Sequence, residues 1–108
     1  GHLVSGHVDG IGRLRGIAAD GLSGVFRFEV PAPLRRYLAP KGSITVDGTS
    51  LTVNAVDAEG FTVNLIPHTL AHTTLGALAP GDAVNLEVDQ VARYVERLLA
   101  WRDAAPAP

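Results

Sequence analysis

Apolar and polar side chains alternate along residues 25–30. Phe26, Phe28 and Val30 fall on one face, Arg27 and Glu29 on the other. A period of two predicts a half-buried strand. Residues 53–66 predict a hairpin, with Asp57, Glu59 and Gly60 supplying turn chemistry around Ala58. In its second arm Phe61, Val63 and Leu65 share one face, and Thr62, Asn64 and Ile66 share the other. A further strand is predicted over residues 83–88, after the turn Pro80-Gly81-Asp82. The opening stretch, residues 2–18, predicts one long bent strand or two short ones. Its glycines at 6, 10, 12 and 16 suggest bulges or barrel corners.

Helical signals interrupt this pattern. Residues 33–38 and 67–72 each open on a proline, which is tolerated in the first turn of a helix. The one long helix is predicted from about residue 90 to 102. There Val91, Tyr94, Val95, Leu98 and Leu99 recur at helical spacing and form one apolar stripe. Asp89 stands where an N-cap belongs. Residues 103–108 read as a frayed tail. Short strands separated by Gly/Pro turns indicate a small closed barrel or sandwich, mostly antiparallel β. No internal repeat or linker divides the chain, so residues 1–102 read as a single domain.

Composition narrows the function classes. The chain has 108 residues, enough for one modest core. Nine basic and eleven acidic side chains give a net charge of -2 with no basic stripe, which disfavours nucleic acid as a partner. There is no cysteine, so disulfides, thiolate metal sites and a cysteine nucleophile are all excluded. That fits a cytoplasmic location. No apolar run approaches the ~20 residues of a membrane span, and the first residues lack the basic-then-apolar order of a signal peptide. A start at Gly1 and the absence of methionine predict a piece of something longer.

Two polar constellations stand out. In Asp47-Gly48-Thr49-Ser50-Leu51-Thr52-Val53, Gly48 permits a turn, after which Leu51 and Val53 point one way and Ser50 and Thr52 the other. Paired hydroxyls suit a ligand with ring carbonyls, ring nitrogens and a polyol chain. A solvent-facing strand edge is the alternative. In residues 65–74 a strand ends at Ile66, Pro67 opens a helical turn, and backbone N–H groups near Thr69 lack helical partners. His68 and His72 have the i, i+4 spacing that can chelate a metal, but no glutamate lies between them and no third ligand can be named, so no metal is expected. His2 and His7 are five apart, hence on opposite faces of a regular strand, while Ser5 and His7 share a face. A histidine there is a proton carrier or simply solvated. Asp89 is a site carboxylate, a helix cap, or both.

These blocks together resemble riboflavin synthase. The match runs through Gly1-His2-Leu3-Val4-Ser5-Gly6-His7, then Lys41-Gly42 with Asp47-Gly48-Thr49-Ser50-Leu51-Thr52-Val53. It continues through Ile66-Pro67-His68-Thr69-Leu70 with Thr73-Thr74-Leu75-Gly76, and then Gly81-Asp82-Ala83-Val84-Asn85-Leu86-Glu87-Val88-Asp89. The blocks stand in the family's order and span nearly the whole chain. The resemblance implies a six-stranded antiparallel Greek-key barrel with short helices and a C-terminal α-helix. The histidine-rich opening and the terminal helix are similar to the second, C-terminal lumazine-binding barrel. The family's first barrel carries a functional cysteine, and its absence here agrees.

The resemblance further implies an activity shared between chains. The family enzyme is a transferase that dismutates two molecules of 6,7-dimethyl-8-ribityllumazine into riboflavin and a ribitylamino-pyrimidine, with no metal or organic cofactor. It is a trimer whose site lies between the N-terminal barrel of one subunit and the C-terminal barrel of its neighbour. Carried over by position, Lys41, Ser50, Thr52, Ile66 and Thr69 are ligand-contacting, and Gly1, His2, His7 and Asp89 lie at the barrel junction. His7 and Ser50, supported by Asp89, are the candidates for proton transfer and activation. The isolated barrel is expected to have little turnover. The alternatives are a non-catalytic lumazine or flavin carrier and an oligomerisation unit with a vestigial pocket. The terminal stripe has two readings, packing against its copies around a trimer axis or plugging its own barrel.

Overall fold

The computed structural model describes residues 6–104. Seven strands form one sheet: β1 (Gly10–Asp20), β2 (Ser23–Glu29), β3 (Ser43–Val46), β4 (Thr49–Thr52), β5 (Ala55–Val56), β6 (Gly60–Leu65) and β7 (Ala83–Val88). All the pairings are antiparallel, in the order β4-β3-β7-β1-β2-β6-β5. Helix α1 (Pro67–His72) follows β6, and α2 (Gln90–Ala104) follows β7. Single 3-10 helices cover Ala32–Tyr37 and Thr74–Ala77.

The count of seven corrects the expected six, and the reason lies in residues 49–56. The two edge strands, β4 and β5, are consecutive parts of one chain run. Its first half pairs with β3 and its second half with β6. At the switch, Val53 N–H donates to Gly42 O at 2.8 Å, and Asn54 N–H donates to Thr62 O at 2.8 Å. One bent run thus carries hydrogen bonds to both ends of the sheet and closes it. The change of partner breaks the ladder and makes two strands out of one. The expected hairpin arm from Val53 accordingly begins at Ala55.

The core follows the alternation. Phe26, Phe28 and Val30 are buried from β2 and its exit, as are Phe61, Val63 and Leu65 from β6 and Val84, Leu86 and Val88 from β7. Phe28 and Phe61 are directly opposite in register and stack with centroids 5.4 Å apart, a cross-strand aromatic pair of the kind that stabilises sheets. Gly60 begins β6 because nothing larger fits there: a Cβ would lie 1.9 Å from Phe28 O. The glycine-rich opening becomes one strand, β1, with a register shift between Leu14 and Gly16, the irregularity that bends a strand.

Helix α2 packs on the barrel by its polar side. Arg93 pairs with Asp9, and its guanidinium also lies 5.1 Å from the Tyr37 ring centroid. Arg36 pairs with Glu96 at 3.3 Å. The stripe of Val91, Tyr94, Val95, Leu98 and Leu99 is 41–70% exposed, so it does not plug its own barrel. Among the described residues no helix is long and apolar enough to cross a membrane.

The β5–β6 turn is pinned by charge. The Arg27 guanidinium hydrogen-bonds and pairs with Asp57, whose Oδ1 accepts the Glu59 and Gly60 N–H groups at 2.8 and 3.0 Å. The Arg27 hydrogen bond first, then those backbone donors, lower the Asp57 carboxyl from its usual 3.8 to about 2. A carboxyl depressed on folding stabilises the fold above its unfolded value, and that contribution is lost as pH falls through the folded value. NMR titration of the side-chain carboxyl is expected to find Asp57 with a midpoint near 2. Arg27→Ala should raise that midpoint toward the ordinary value; an unchanged midpoint in the variant contradicts the pairing.

Candidate functional site

The β3–β4 hairpin places the first set of polar residues. Val46 pairs with Thr49, leaving a two-residue turn, and its residues Asp47 and Gly48 have φ of 46° and 80°. Positive φ at both positions marks the turn class that matches the twist of a hairpin. Asp47 also ties the turn to β7: its N–H donates to Asn85 O at 2.9 Å, and its Oδ1 accepts the Asn85 N–H at 2.7 Å. A turn this short fixes register. Ile44 opposes Leu51 on the core face, so Thr45 opposes Ser50 on the outer face. Ser50 is half-buried and Thr52 exposed, while Leu51 and Val53 point inward. Lys41 lies at the far end of the same ladder, where its N–H donates to Val53 O at 2.8 Å. Its side chain is exposed, and its φ of 68° is the left-handed backbone of a tight turn.

The second set comes from the β6–α1 junction. Ile66 ends the strand with its side chain 54% exposed, and Pro67 occupies the first turn of α1. The first N–H donated inside the helix is that of Leu70, to Ile66 O at 3.1 Å, so those of His68 and Thr69 precede the ladder. Thr69 is half-buried, and its carbonyl accepts both the N–H and the hydroxyl of Thr73, at 3.1 and 2.7 Å.

Sheet order leaves the outer edge of β4 open. Strand β4 pairs only with β3 among the described strands. The run 49–56 joins β6 only from Asn54 onward. Before that point no ladder joins β4 to β6, which leaves a gap beside the β4 edge. A cleft of about 520 Å³ occupies one end of this gap, between Asp47, Gly48 and Thr49 on one side and Ala71, His72, Thr73 and Thr74 on the other. Ser50 and Thr69 adjoin its walls in sequence. A larger, more apolar groove of about 640 Å³ lies on the β1–β2 side of α1, against Ile17, Leu22, Phe26, Pro67 and Leu70. The cleft beside the β3–β4 turn is the better candidate, because Thr49, Thr73 and Thr74 line it.

The remaining expected residues lie apart from this gap. His7 is exposed, just ahead of β1. Asp9 N–H donates to Leu86 O at 2.7 Å, so this segment runs antiparallel along β7 and carries His7 toward the end where Asp89 sits. Asp89 Oδ1 accepts the Val91 N–H at 3.0 Å, which establishes its capping role. Gly1 and His2 lie outside the described residues. His68 and His72 stack with ring centroids 4.1 Å apart, and His72 Nδ1 contacts His68 O at 2.8 Å. Among the described residues no group of three His, Cys, Asp or Glu is gathered to hold a metal ion. Sequence reasoning missed Glu87. Alternation sets it on the outer face, yet it is 5% exposed and in register with Thr45, itself 2% exposed. No local signal distinguishes it from Asn85, which shares its face and is exposed.

Residues 5–89 match the family model of the lumazine binding domain. The chain belongs to that family. It is 53% identical over 102 residues to riboflavin synthase of Mycobacterium tuberculosis, covering 92% of this chain and 51% of that protein. It is 46% identical over 99 residues to riboflavin synthase of Photobacterium phosphoreum, covering 92% and 45%. The chain thus spans about half the length of these curated relatives. Among solved structures it resembles LumP complexed with 6,7-dimethyl-8-(1'-D-ribityl) lumazine, with a TM-score of 0.75 and 24% identity over 82% of this chain and 49% of that one. It also resembles LumP complexed with flavin mononucleotide, with a TM-score of 0.76 and 23% identity over 83% and 50%. At those identities the likeness is one of fold.

The short turn is the element on which this lumazine-binding barrel's gap most depends. Gly48→Ala puts a Cβ on a left-handed residue and is expected to cost about 1–2 kcal/mol of stability, read from denaturant midpoints. A stability loss within about 0.3 kcal/mol, the error of such comparisons, contradicts that requirement.

Proposed function

We propose that this chain is one barrel of riboflavin synthase, the C-terminal one, and that it binds 6,7-dimethyl-8-ribityllumazine and riboflavin in the gap between β4 and the β6–α1 junction. The observation that carries this reading is the match to the lumazine binding domain in a chain 46–53% identical to curated riboflavin synthases; in it Lys41, Ser50, Thr52, Ile66 and Thr69 serve the gap. Hydroxyls that donate and accept suit the pteridine carbonyls and the ribityl chain. The Ile66 side chain offers an apolar surface for the ring.

In this reading residues 1–102 are the barrel domain; the terminal helix runs on to Ala104, two residues past its expected end, because Asp103 and Ala104 continue the helical run. The site is completed by the N-terminal barrel of a neighbouring subunit in a cytoplasmic homotrimer. The exposed apolar stripe of α2 supports association with further copies. The reaction moves a four-carbon unit between two lumazines and needs no cofactor. His7 serves as base toward a lumazine methyl group, Ser50 orients the bound ring, and Asp89 supports the junction while capping α2. Gly1 and His2 contribute at the same junction.

A shared site predicts that the 108-residue chain alone forms riboflavin slowly or not at all, and that adding the partner barrel restores turnover. Full turnover by a strictly monomeric sample refutes the sharing. Tight lumazine binding without riboflavin formation by the full-length protein favours the carrier reading instead. For the gap itself, Ser50→Ala or Thr69→Ala is expected to weaken riboflavin binding by about 0.5–1.5 kcal/mol each, followed by quenching of flavin fluorescence. Unchanged affinity in both variants means that this polar face is only solvated.

A further inference from the structure

The cleft between the β3–β4 turn and the end of α1 is unevenly supplied with free polar groups. Its α1 wall is made by Ala71, His72, Thr73 and Thr74. Ala71 offers no polar side-chain atom. The Thr73 hydroxyl is engaged twice, donating to Thr69 O at 2.7 Å and accepting the Leu75 N–H at 3.2 Å. His72 is exposed, and one of its ring nitrogens is engaged: Nδ1 lies 2.8 Å from His68 O. Among the described residues the ring's only other interaction is its stack on His68, with 4.1 Å between centroids and 22° between planes.

These two contacts determine what the ring can offer. A backbone carbonyl only accepts, so Nδ1 carries the proton. In the neutral imidazole the other nitrogen, Nε2, then holds a lone pair and accepts. The i, i+4 spacing sets His68 against His72 on one helix face, and the stack holds the plane of the ring. A histidine whose tautomer and ring plane are both held by its own helix is a preorganised acceptor. On the opposite wall stand Asp47, Gly48 and Thr49. An ionised carboxylate likewise only accepts. The cleft is therefore rich in acceptors and complements a ligand that brings O–H or N–H groups.

We propose that His72 is a ligand-contacting residue, with Nε2 accepting a hydrogen bond from a hydroxyl or a ring N–H of the bound molecule. The role rests on the lumazine and flavin reading of the gap. It adds a residue that stands outside the blocks by which the chain resembles riboflavin synthase. It also gives the stacked histidine pair a use that needs no metal.

Nitrogen-15 NMR of the imidazole rings of the 108-residue chain tests this during titration with riboflavin, at about pH 8, where an ordinary histidine is neutral. The free protein is expected to carry the His72 proton on Nδ1 and none on Nε2. Saturation should move the Nε2 resonance together with the backbone amides of residues 49–52 and 66–69. If those amides move and Nε2 does not, the role of His72 is overturned and the gap stands. If neither moves, the gap reading falls and His72 with it. A proton on Nε2 in the free protein also overturns the role. Once riboflavin has moved Nε2, lumiflavin separates the two donors, because it keeps the ring N–H and lacks the ribityl chain. An Nε2 shift at saturation with lumiflavin assigns the contact to the ring, and no shift assigns it to the chain; both support the role. Two variants separate ligand contact from helix structure. His72→Asn puts an amide near the Nδ1 position and removes the group at Nε2, whereas His72→Gln reaches the Nε2 position. His72→Asn is expected to weaken riboflavin binding about threefold or more, and His72→Gln to recover most of that loss. The reverse order, equal losses or no loss in either variant overturns the proposal. If a variant fails to fold, the ring resonances of the unsubstituted chain decide alone.

Discussion

Residues 49–56 belong to two ladders at once, and the rest of the barrel depends on that division. Their first half is hydrogen-bonded to β3 and their second half to β6. The switch at Val53 and Asn54 closes the sheet, so the phenylalanines of β2 and β6 can be sealed within it. A chain that changes partner must part from one neighbour before it meets the other. The same switch therefore leaves the edge of β4 unladdered. Closure and the open edge of β4 are two consequences of one bend. The Asp47-Gly48 turn then decides which side chains the edge presents, because a register slip of one residue would point Leu51 outward and Ser50 into the core.

The terminal helix has the opposite economy. Its Arg93 and Glu96 hold it to the barrel through Asp9, Tyr37 and Arg36, and its apolar stripe faces away. Exposed ion pairs of this kind are individually weak. An arrangement that leaves five large apolar side chains uncovered makes sense when another surface covers them. This agrees with a chain that is about half the length of its curated relatives and whose site is proposed to need a neighbour.

Much of this was legible in the sequence because two periodicities are locally enforced. Alternation in residues 25–30 and 61–65 assigns core and surface correctly, since the pleat permits no other arrangement. Pro67 marks the start of α1, and residues 83–88 are bounded as expected, because proline and the Gly81 turn act on their own neighbours. The features that were not legible depend on distant parts of the chain. Nothing near Val53 reveals that the strand will change partners there. Nothing in residues 83–88 separates Glu87 from Asn85; only the apposition of Thr45 and the covering segment ahead of β1 does so. A helical stripe likewise predicts burial without saying against what.

The proposed ligand position is the edge of β4, facing the β6–α1 junction. Backbone amide shifts of the labelled 108-residue chain, followed by NMR during titration with riboflavin, test it most directly. Saturable shifts are expected to concentrate at Lys41, at residues 49–52 and at residues 66–69. Shifts concentrated instead around Ile17, Leu22 and Phe26, in the apolar groove on the other side of α1, would contradict it.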